Sequence, residues 1–166
     1  MPIRKKNASM KSRLHRVLFS VALASALASS SWALEHTALK NIQSLSFGRF
    51  VADNGGSVTV SATGNRSAGG NVVLMPSNQV TAALFMVSGD PDATYTVQLP
   101  SNDFVTLTGP GVDMVVGSFT SIPSGAGGQL GTVGSQTLSV GATLKVGRRQ
   151  TPGGYSGSFS VMVDYN

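Results

Sequence analysis

Few side chains in this sequence are able to carry out chemistry, and they are spread thinly along the chain. The chain has 166 residues, no Cys and two His. Thiol catalysis and Cys-based metal sites are therefore excluded. His15 lies in a basic N-terminal stretch, and His36 stands beside Glu35 without the fixed partner that a catalytic base needs. A Ser-His-Asp arrangement lacks a suitable histidine, so we expect no enzymatic activity.

Asp90 and Asp92 share one turn and are the best candidates for metal ligands. A Ca²⁺ site takes about six or more oxygen ligands, whereas Asp is common in turns because its side chain bonds nearby backbone N–H groups. We therefore expect no metal and no cofactor. The adjacent pair Arg148 and Arg149 is interpreted as part of a solvated turn.

The N-terminus has the composition of a secretory signal peptide. A basic segment up to Arg16 is followed by an apolar run from Val17 to Ala28 and by small residues before Ala33. The apolar run is shorter than the roughly 20 residues that span a bilayer. We expect cleavage after Ala33, with cleavage after Ala28 as the alternative. Residues 1–33 would then be the signal peptide and residues 34–166 a single domain.

This leader determines how the charge of the chain is interpreted. Six of the twelve Lys and Arg residues precede Val17, whereas all seven Asp and Glu residues follow Ala33, so the net charge of +5 falls to about −1 after cleavage. The high pI is a property of the leader and gives no evidence for a nucleic-acid partner. We expect the protein in the periplasm, on the outer cell surface or outside the cell, with no transmembrane anchor after cleavage.

Alternation of apolar and polar residues after the leader is typical of half-buried β-strands. It is clearest from Tyr155 to Asn166, where we predict a strand preceded by a turn at Pro152–Gly154. The Asn-Gly pair in Asp53–Gly56 predicts a type I′ hairpin turn. Gly141 predicts a bend within a strand from Gln136 to Val146. The spacing of these signals predicts an all-β, Ig-like antiparallel β-sandwich of about 7–9 strands.

The aromatic residues are placed mostly at alternating positions, which favours packing in the core and between the sheets over ligand stacking. The aromatic residues interpreted in this way are Tyr95, Phe104, Phe119, Tyr155, Phe159 and Tyr165. Two Gly-rich stretches, Thr63–Gly70 and Ile122–Gly134, are predicted to be loops.

Several motifs of the sequence together resemble a known family. They are Leu45-Ser46-Phe47-Gly48-Arg49-Phe50, Gly89 to Tyr95, Leu138 to Val146 and Pro152 to Phe159. These motifs are similar to those of the secreted bacterial family DUF4402, a domain of unknown function. The resemblance covers essentially all of the chain after the leader, and because its motifs are structural it implies no catalytic residues.

A looser resemblance links the chain to pilins of chaperone–usher pili, including the spore-coat-U type. It depends on Leu-Ser-Phe-Gly near the start of the domain and on an aromatic residue, Tyr165, next to the C-terminus. This resemblance implies a sandwich that is completed by a strand from a neighbouring subunit. The segment Leu34–Ala38 lacks the clean alternation of a donor strand, so a terminal subunit or a free-standing sandwich fits better than a polymerising one.

We therefore expect an exported, non-enzymatic structural or adhesive protein of the cell envelope or surface that uses strand addition, as a pilus-type subunit does. The expected partners are a periplasmic chaperone or other envelope subunits. The residues predicted to make the contact are Phe159, Val161, Val163 and Tyr165. The alternative is a free-standing periplasmic or secreted module that binds a glycan or a protein ligand through its two Gly-rich loops.

Overall fold

The computed structural model describes residues 38–125 and 127–166, which form β-strands and no helix. The strands are β1 (Ala38–Gln43), β2 (Ser46–Phe47), β3 (Phe50–Val60), β4 (Arg66–Leu74), β5 (Val80–Thr81), β6 (Ala83–Ser88), β7 (Thr94–Gln98), β8 (Val105–Leu107), β9 (Met114–Ile122), β10 (Gly128–Gln129), β11 (Ser135–Val146) and β12 (Met162–Tyr165). Nine of these strands have three or more residues. The expected signal peptide, residues 1–33, and His36 lie outside the described residues. Nowhere in the described ranges is there a helix long and apolar enough to cross a membrane.

The largest sheet is organised around β11. The first half of β11, Ser135–Val140, pairs with β6, and its second half, Ala142–Val146, pairs with β3. Residues Ser139–Leu144 pair with β9 at the same time, so β6 and β3 follow one another along one edge of β11 and β9 occupies the other edge. Strands β1, β4 and β8 lie at the ends of the sheet.

Gly141 marks the point where β11 passes from one partner to the next, which confirms the predicted irregularity. The register with β9 shifts between Gly141 and Thr143. A Cβ atom at residue 141 would overlap the backbone of Val60, Ser61 and Ala62. Only a residue without a side chain allows the two strands to approach this closely.

The core forms two apolar clusters that share the buried face of β11. Leu138 and Val140 belong to one cluster, and Ala142 and Leu144 belong to the other. These even-numbered positions are buried because successive side chains of a strand point to opposite faces. Two smaller sheets, β10-β7-β12 and β2-β5, accompany the large one. The protein is an all-β sandwich, as the sequence predicted.

The hairpin turn predicted at Asp53–Gly56 is wrong. This stretch lies inside β3, where the register with β4 shifts between Ala52 and Gly56 and the chain forms a bulge. The Asp53 carbonyl accepts a hydrogen bond from the Arg149 N–H at 3.1 Å, which fixes the bulge against the end of β11. The positive φ angles of Gly55 and Gly56 allow the backbone to form this bulge. The turn itself follows at 61–65.

The two predicted Gly-rich loops are also shorter than expected. Residues Arg66–Gly70 of the first are part of β4. In the second, Ile122 ends β9, β10 contributes two residues, and Leu130 is buried with its N–H bonded to the Ala93 carbonyl at 2.9 Å. Backbone pairing with neighbouring strands therefore extends into stretches whose composition is typical of loops.

The strand predicted from Tyr155 to Asn166 is only partly correct. The paired strand is β12, Met162–Tyr165, which lies against β7. Upstream of it, Ser156 forms an isolated bridge with Thr108 at the end of β8. Residues 157–161 therefore cross from the large sheet to the small one. The predicted alternation persists through this crossing, because odd-numbered residues from Phe159 are half-buried and even-numbered ones are exposed.

Phe104 is not a core residue, in contrast to the sequence interpretation. Its side chain is 84% exposed. The loop before it is anchored by Asn102, whose side-chain oxygen accepts the Ser118 N–H at 2.6 Å, and Asp103 takes a φ of 67°. The chain turns at this point, so the alternation of β8 begins only at Val105.

Candidate functional site

A cleft of about 800 Å³ lies between two segments that are far apart in the sequence. One segment, Ser44–Ala52, includes β2 and the start of β3. The other, Gln150–Phe159, precedes β12. We call this feature the terminal cleft, since one segment follows the first strand, β1, and the other precedes the last strand, β12.

Part of the surface between the two segments is formed by apolar side chains. Six aliphatic side chains of β8, β9 and β11 line it: Val105, Leu107, Met114, Val116, Leu144 and Val146. Five of them are buried members of the first core cluster, and Leu107 packs against that cluster. A ligand in the terminal cleft would therefore bury apolar atoms against the core itself, which stabilises a complex by about 25 cal/mol per Å² of apolar surface.

The backbone beside the cleft has N–H and C=O groups without a backbone partner in the described chain. Ser156 exchanges two backbone hydrogen bonds with Thr108, of 2.8 and 3.0 Å. In the part of the chain that the structure describes, residues 157–161 belong to no strand and have no backbone–backbone hydrogen bond. Of these, Gly157, Ser158 and Phe159 line the cleft. Exposed N–H and C=O groups of this kind are what an added strand pairs with.

The opposite border is held in place by Arg66 of β4. Its guanidinium donates to the carbonyl oxygens of Phe47 at 3.1 Å, Arg49 at 3.2 Å and Met75 at 2.8 Å. Between the first two, Gly48 has a φ of 69°, and a Cβ atom there would lie 2.7 Å from the Arg66 Nη1 atom. The motif Leu-Ser-Phe-Gly-Arg-Phe therefore makes a tight loop that only glycine fits.

Tyr155 fixes the C-terminal border. Its hydroxyl donates to the Thr151 carbonyl at 2.9 Å and accepts from the Gln150 side chain at 2.9 Å. The ring packs so closely on Gly109 and Gly111 that a Cβ atom at either residue would lie 2.5–2.6 Å from Tyr155. The Gly-rich stretch at 109–111 is thus a packing surface for the border segment.

The four residues predicted to contact a partner lie together but pack mainly inside the protein. Phe159 touches both core clusters, with its ring centroid 5.2 Å from that of Phe119. Val161, Val163 and Tyr165 pack against the second cluster. Of the four, only Phe159 is among the residues that line the terminal cleft. Its role there is to form the end of the apolar surface.

Tyr165 also contributes to a tyrosine pair in the second cluster. Its ring centroid lies 5.9 Å from that of Tyr95, and its hydroxyl donates to the Ser88 carbonyl at 3.3 Å. Burial, and secondarily the charge of Tyr165, raise the pKa of Tyr95. The Tyr95 hydroxyl donates to the Gln136 side chain at 2.6 Å. These contacts fasten β7 to β11 and β12 to β6, and they have no evident chemical role.

Charged groups are sparse around the cleft. Arg49 is the single charged residue among the described residues that line it. Lys145 and Asp103 form an exposed ion pair at 2.8 Å on another part of the surface. Asp90 and Asp92 lie in a turn closed by a backbone bond from the Ala93 N–H to the Asp90 carbonyl at 3.2 Å. Within the described ranges no group of three or more His, Cys, Asp or Glu side chains is placed to hold a metal ion.

These features define a class of protein: an all-β sandwich with an open, partly apolar cleft between a segment that follows β1 and a segment that precedes β12. The model of the family described as a domain of unknown function (DUF4402) matches residues 37–165. The match covers more than half of the chain, and the chain belongs to this family. Comparisons with curated proteins and with solved structures gave no match.

Proposed function

We propose that this protein is an exported, non-enzymatic structural subunit of the cell envelope or surface, and that its sandwich accepts a β-strand from a partner protein in the terminal cleft. The observation that carries the proposal is the cleft itself. It combines an apolar surface with a neighbouring stretch of backbone, Gly157–Val161, that belongs to no strand. Strand addition uses both features, because main-chain bonds hold the added strand and alternate side chains enter apolar pockets.

The composition of the chain agrees with this proposal. The signal-peptide pattern before Ala33 favours export, and the looser likeness to chaperone–usher pilins favours partners such as a periplasmic chaperone or other envelope subunits. Strand acceptance also explains why Arg66 and Tyr155 fix the two borders of the cleft by side-chain bonds to the backbone. A groove with fixed borders binds an extended segment at a lower cost in conformational entropy.

The alternative proposal, a glycan-binding or protein-binding module that acts through its Gly-rich loops, has less support. Residues Arg66–Gly70 are held in β4, and Leu130 anchors the second loop in the core. Among the described residues of that loop, Leu130 and Gly134 are buried, whereas 124–125, 127 and 131–133 are exposed.

Hydrogen exchange tests strand acceptance directly. A peptide of about ten residues that alternates valine and serine is the probe, since strands are usually of that length or shorter. We expect it to slow exchange at the amides of residues 157–161, where the free protein has no backbone partner in the described chain. A peptide of serine and glycine serves as the unbound control. Unchanged exchange at these amides with a saturating excess of the alternating peptide would exclude the proposal.

A pair of matched variants localises the binding. Ser158 and Ser160 are exposed residues of the same segment, but only Ser158 lines the cleft. Ser158→Trp places a large ring at the cleft and should weaken peptide binding about tenfold or more, because a steric clash at a packed contact costs about 1–3 kcal/mol. Ser160→Trp should change the affinity for the peptide by less than about twofold. Equal effects of the two variants would place the bound peptide elsewhere.

A further inference from the structure

The terminal cleft is lined by apolar side chains and by uncharged polar ones, and a single cation stands among the described residues that line it. Arg49 lies in the segment between Gly48 and Phe50, and its side chain is exposed. In the described part of the chain its guanidinium has no ion pair and no hydrogen bond, whereas the other Arg in this region, Arg66, uses its guanidinium on three backbone carbonyls. Arg49 is therefore available to a partner.

The position of Arg49 is fixed even though its side chain is exposed. Its carbonyl accepts the Met75 N–H at 3.0 Å and an Arg66 N–H at 3.2 Å. The backbone of Arg49 is thus held by Arg66 of β4 and by Met75, which directly follows β4. The guanidinium of Arg49 therefore projects from a fixed point beside the cleft. A fixed attachment point lets a single charge select among partners, since less side-chain and loop entropy is lost on binding.

We propose that the partner strand carries a carboxylate that pairs with Arg49, in addition to the apolar side chains that face the cleft. This inference rests on the proposed function and specifies its partner: an extended segment of another protein with alternating apolar residues and one Asp or Glu at an outward-facing position. Lys or Arg at that position is disfavoured, because like charges across an interface repel.

The geometry of an extended strand permits both contacts at once. Successive side chains of a strand point to opposite faces, and residues two apart are about 6.6 Å apart. Side chains at alternate positions therefore meet the apolar surface of Leu107, Leu144 and Val146, while those between them face outward. A carboxylate at an outward-facing position beside Arg49 can meet the exposed, planar guanidinium through two parallel N–H···O bonds.

A charge scan on the probe peptide tests this inference with the purified full chain. The parent peptide alternates valine and serine, and in each member of the panel one serine is replaced by Glu, Gln or Lys. At one position we expect the Glu peptide to bind about two- to fivefold more tightly than the Gln peptide, which is the range of exposed ion pairs. The Lys peptide should bind more weakly than both, and salt at about 1 M should abolish the differences.

Variants of the protein assign the effect to Arg49. Arg49→Gln should remove the preference for Glu, Arg49→Lys should keep it, and Arg49→Glu should reverse it in favour of Lys. Arg148→Gln is the matched control, since Arg148 is also exposed but does not line the cleft. The midpoint of thermal unfolding, measured for each variant, shows that it is folded.

The outcomes separate this inference from the function on which it rests. Binding of all peptides with equal affinity, or a Glu preference that survives Arg49→Gln, would overturn the carboxylate pairing and leave strand acceptance standing. No binding of any alternating peptide would overturn both. A Glu preference that depends on Arg49 and on salt supports both.

Discussion

The guanidinium group of Arg66 donates a hydrogen bond to the carbonyl oxygen of Phe47 at 3.1 Å and so joins β4 to the short strand β2. The same side chain reaches the carbonyls of Arg49 and Met75. Three backbone acceptors on two segments thus depend on one side chain. Gly48 bends between the two acceptors on the β2 side, so Arg66 supports the stretch of the border that lies between the pairing of β2 with β5 and that of β3 with β4.

Replacing Arg66 should therefore destabilise the protein more than replacing another surface arginine. Arg66→Ala leaves three carbonyl oxygens without their charged donor, and we expect a loss of about 2 kcal/mol in the free energy of unfolding. Urea-induced unfolding measures it. Arg148→Ala, at an exposed position, should change the free energy by less than about 0.5 kcal/mol. A loss as small for Arg66→Ala would show that the three bonds contribute nothing.

Phe159 joins the two core clusters, and its removal should weaken both. Its ring lies 5.2 Å from that of Phe119 and 6.3 Å from that of Phe85, centroid to centroid. We expect Phe159→Ala to lower the free energy of unfolding by about 2–3 kcal/mol. This is less than for a fully buried phenylalanine, because the Phe159 side chain is half-exposed. Phe104→Ala is the matched control: Phe104 is 84% exposed, and its replacement should be nearly neutral. Chemical denaturation of the two variants gives the comparison, and the reverse order would contradict the packing described here.

Gly141 should tolerate no side chain. A methyl group there would overlap the backbone at Ser61 and Ala62 where β11 passes from β6 to β3. We expect Gly141→Ala to lower the free energy of unfolding by at least about 2 kcal/mol, since β11 and the end of β3 at Val60 are both held by strand pairing. A Cβ atom at Gly154 would have no heavy atom within 4 Å, so Gly154→Ala should be neutral or slightly stabilising. Thermal unfolding distinguishes the two, and equal midpoints would show that β11 relaxes at the bend.

Stability should fall at alkaline pH through Tyr95. Burial, with a smaller effect of Tyr165, raises the pKa of Tyr95 in the folded protein above the ordinary value of 10.0. Below pH 10 the Tyr95 hydroxyl is protonated in the folded and the unfolded protein, and its contribution to the free energy of unfolding is fully present. This contribution is lost as the pH rises from 10 through the raised pKa, because the unfolded chain releases its proton first.

Tyr95→Phe provides the measurement. The variant loses the hydrogen bond to Gln136 and should be less stable at neutral pH, but its free energy of unfolding should decline less between pH 9 and 11.5 than that of the original chain. Denaturant unfolding at a series of pH values gives both slopes. Parallel slopes would mean that Tyr95 titrates alike in the folded and unfolded chains.

The exported chain should begin at Leu34. The pattern of the leader predicts cleavage after Ala33, and the mass of the protein recovered from the envelope or medium of producing cells measures the cut. Ala33→Arg puts a large charged residue at the cut and should block it there. A chain that begins at Ser29 would support the alternative cut, and a chain that keeps its leader would contradict export by a cleavable signal.

The periodic parts of the fold were predictable from the sequence. Strands such as β7 and β11 alternate cleanly, and alternation reports a half-buried strand whatever its partner. The turn predicted at Asp53–Gly56 was wrong because glycines that take positive φ angles, here Gly55 and Gly56, suit a bulge as well as a hairpin. What decides between the two is pairing with β4 and the bond from Arg149, and neither is visible in the local sequence.

The candidate site was predicted less well, for a similar reason. The alternating residues from Phe159 to Tyr165 were correctly seen to share a face, but that face points mainly into the protein's own core. The cleft arises where Ser44–Ala52 meets Gln150–Phe159 across the fold. Only the topology brings these segments together, so periodicity alone does not reveal the space between them.

The late position of β11 in the chain has a consequence for how the protein reaches its folded state. Thr59 and Thr143 share a hydroxyl hydrogen bond of 2.8 Å across 84 positions of sequence, and β3, β6 and β9 all have β11 as a partner. When the chain is synthesised or exported from its N-terminus, β3, β6 and β9 therefore lack their common partner until β11 has also emerged. Such long-range pairing folds slowly and leaves strand edges open to aggregation. Completion of the large sheet thus waits for one strand, β11, that comes late in the chain.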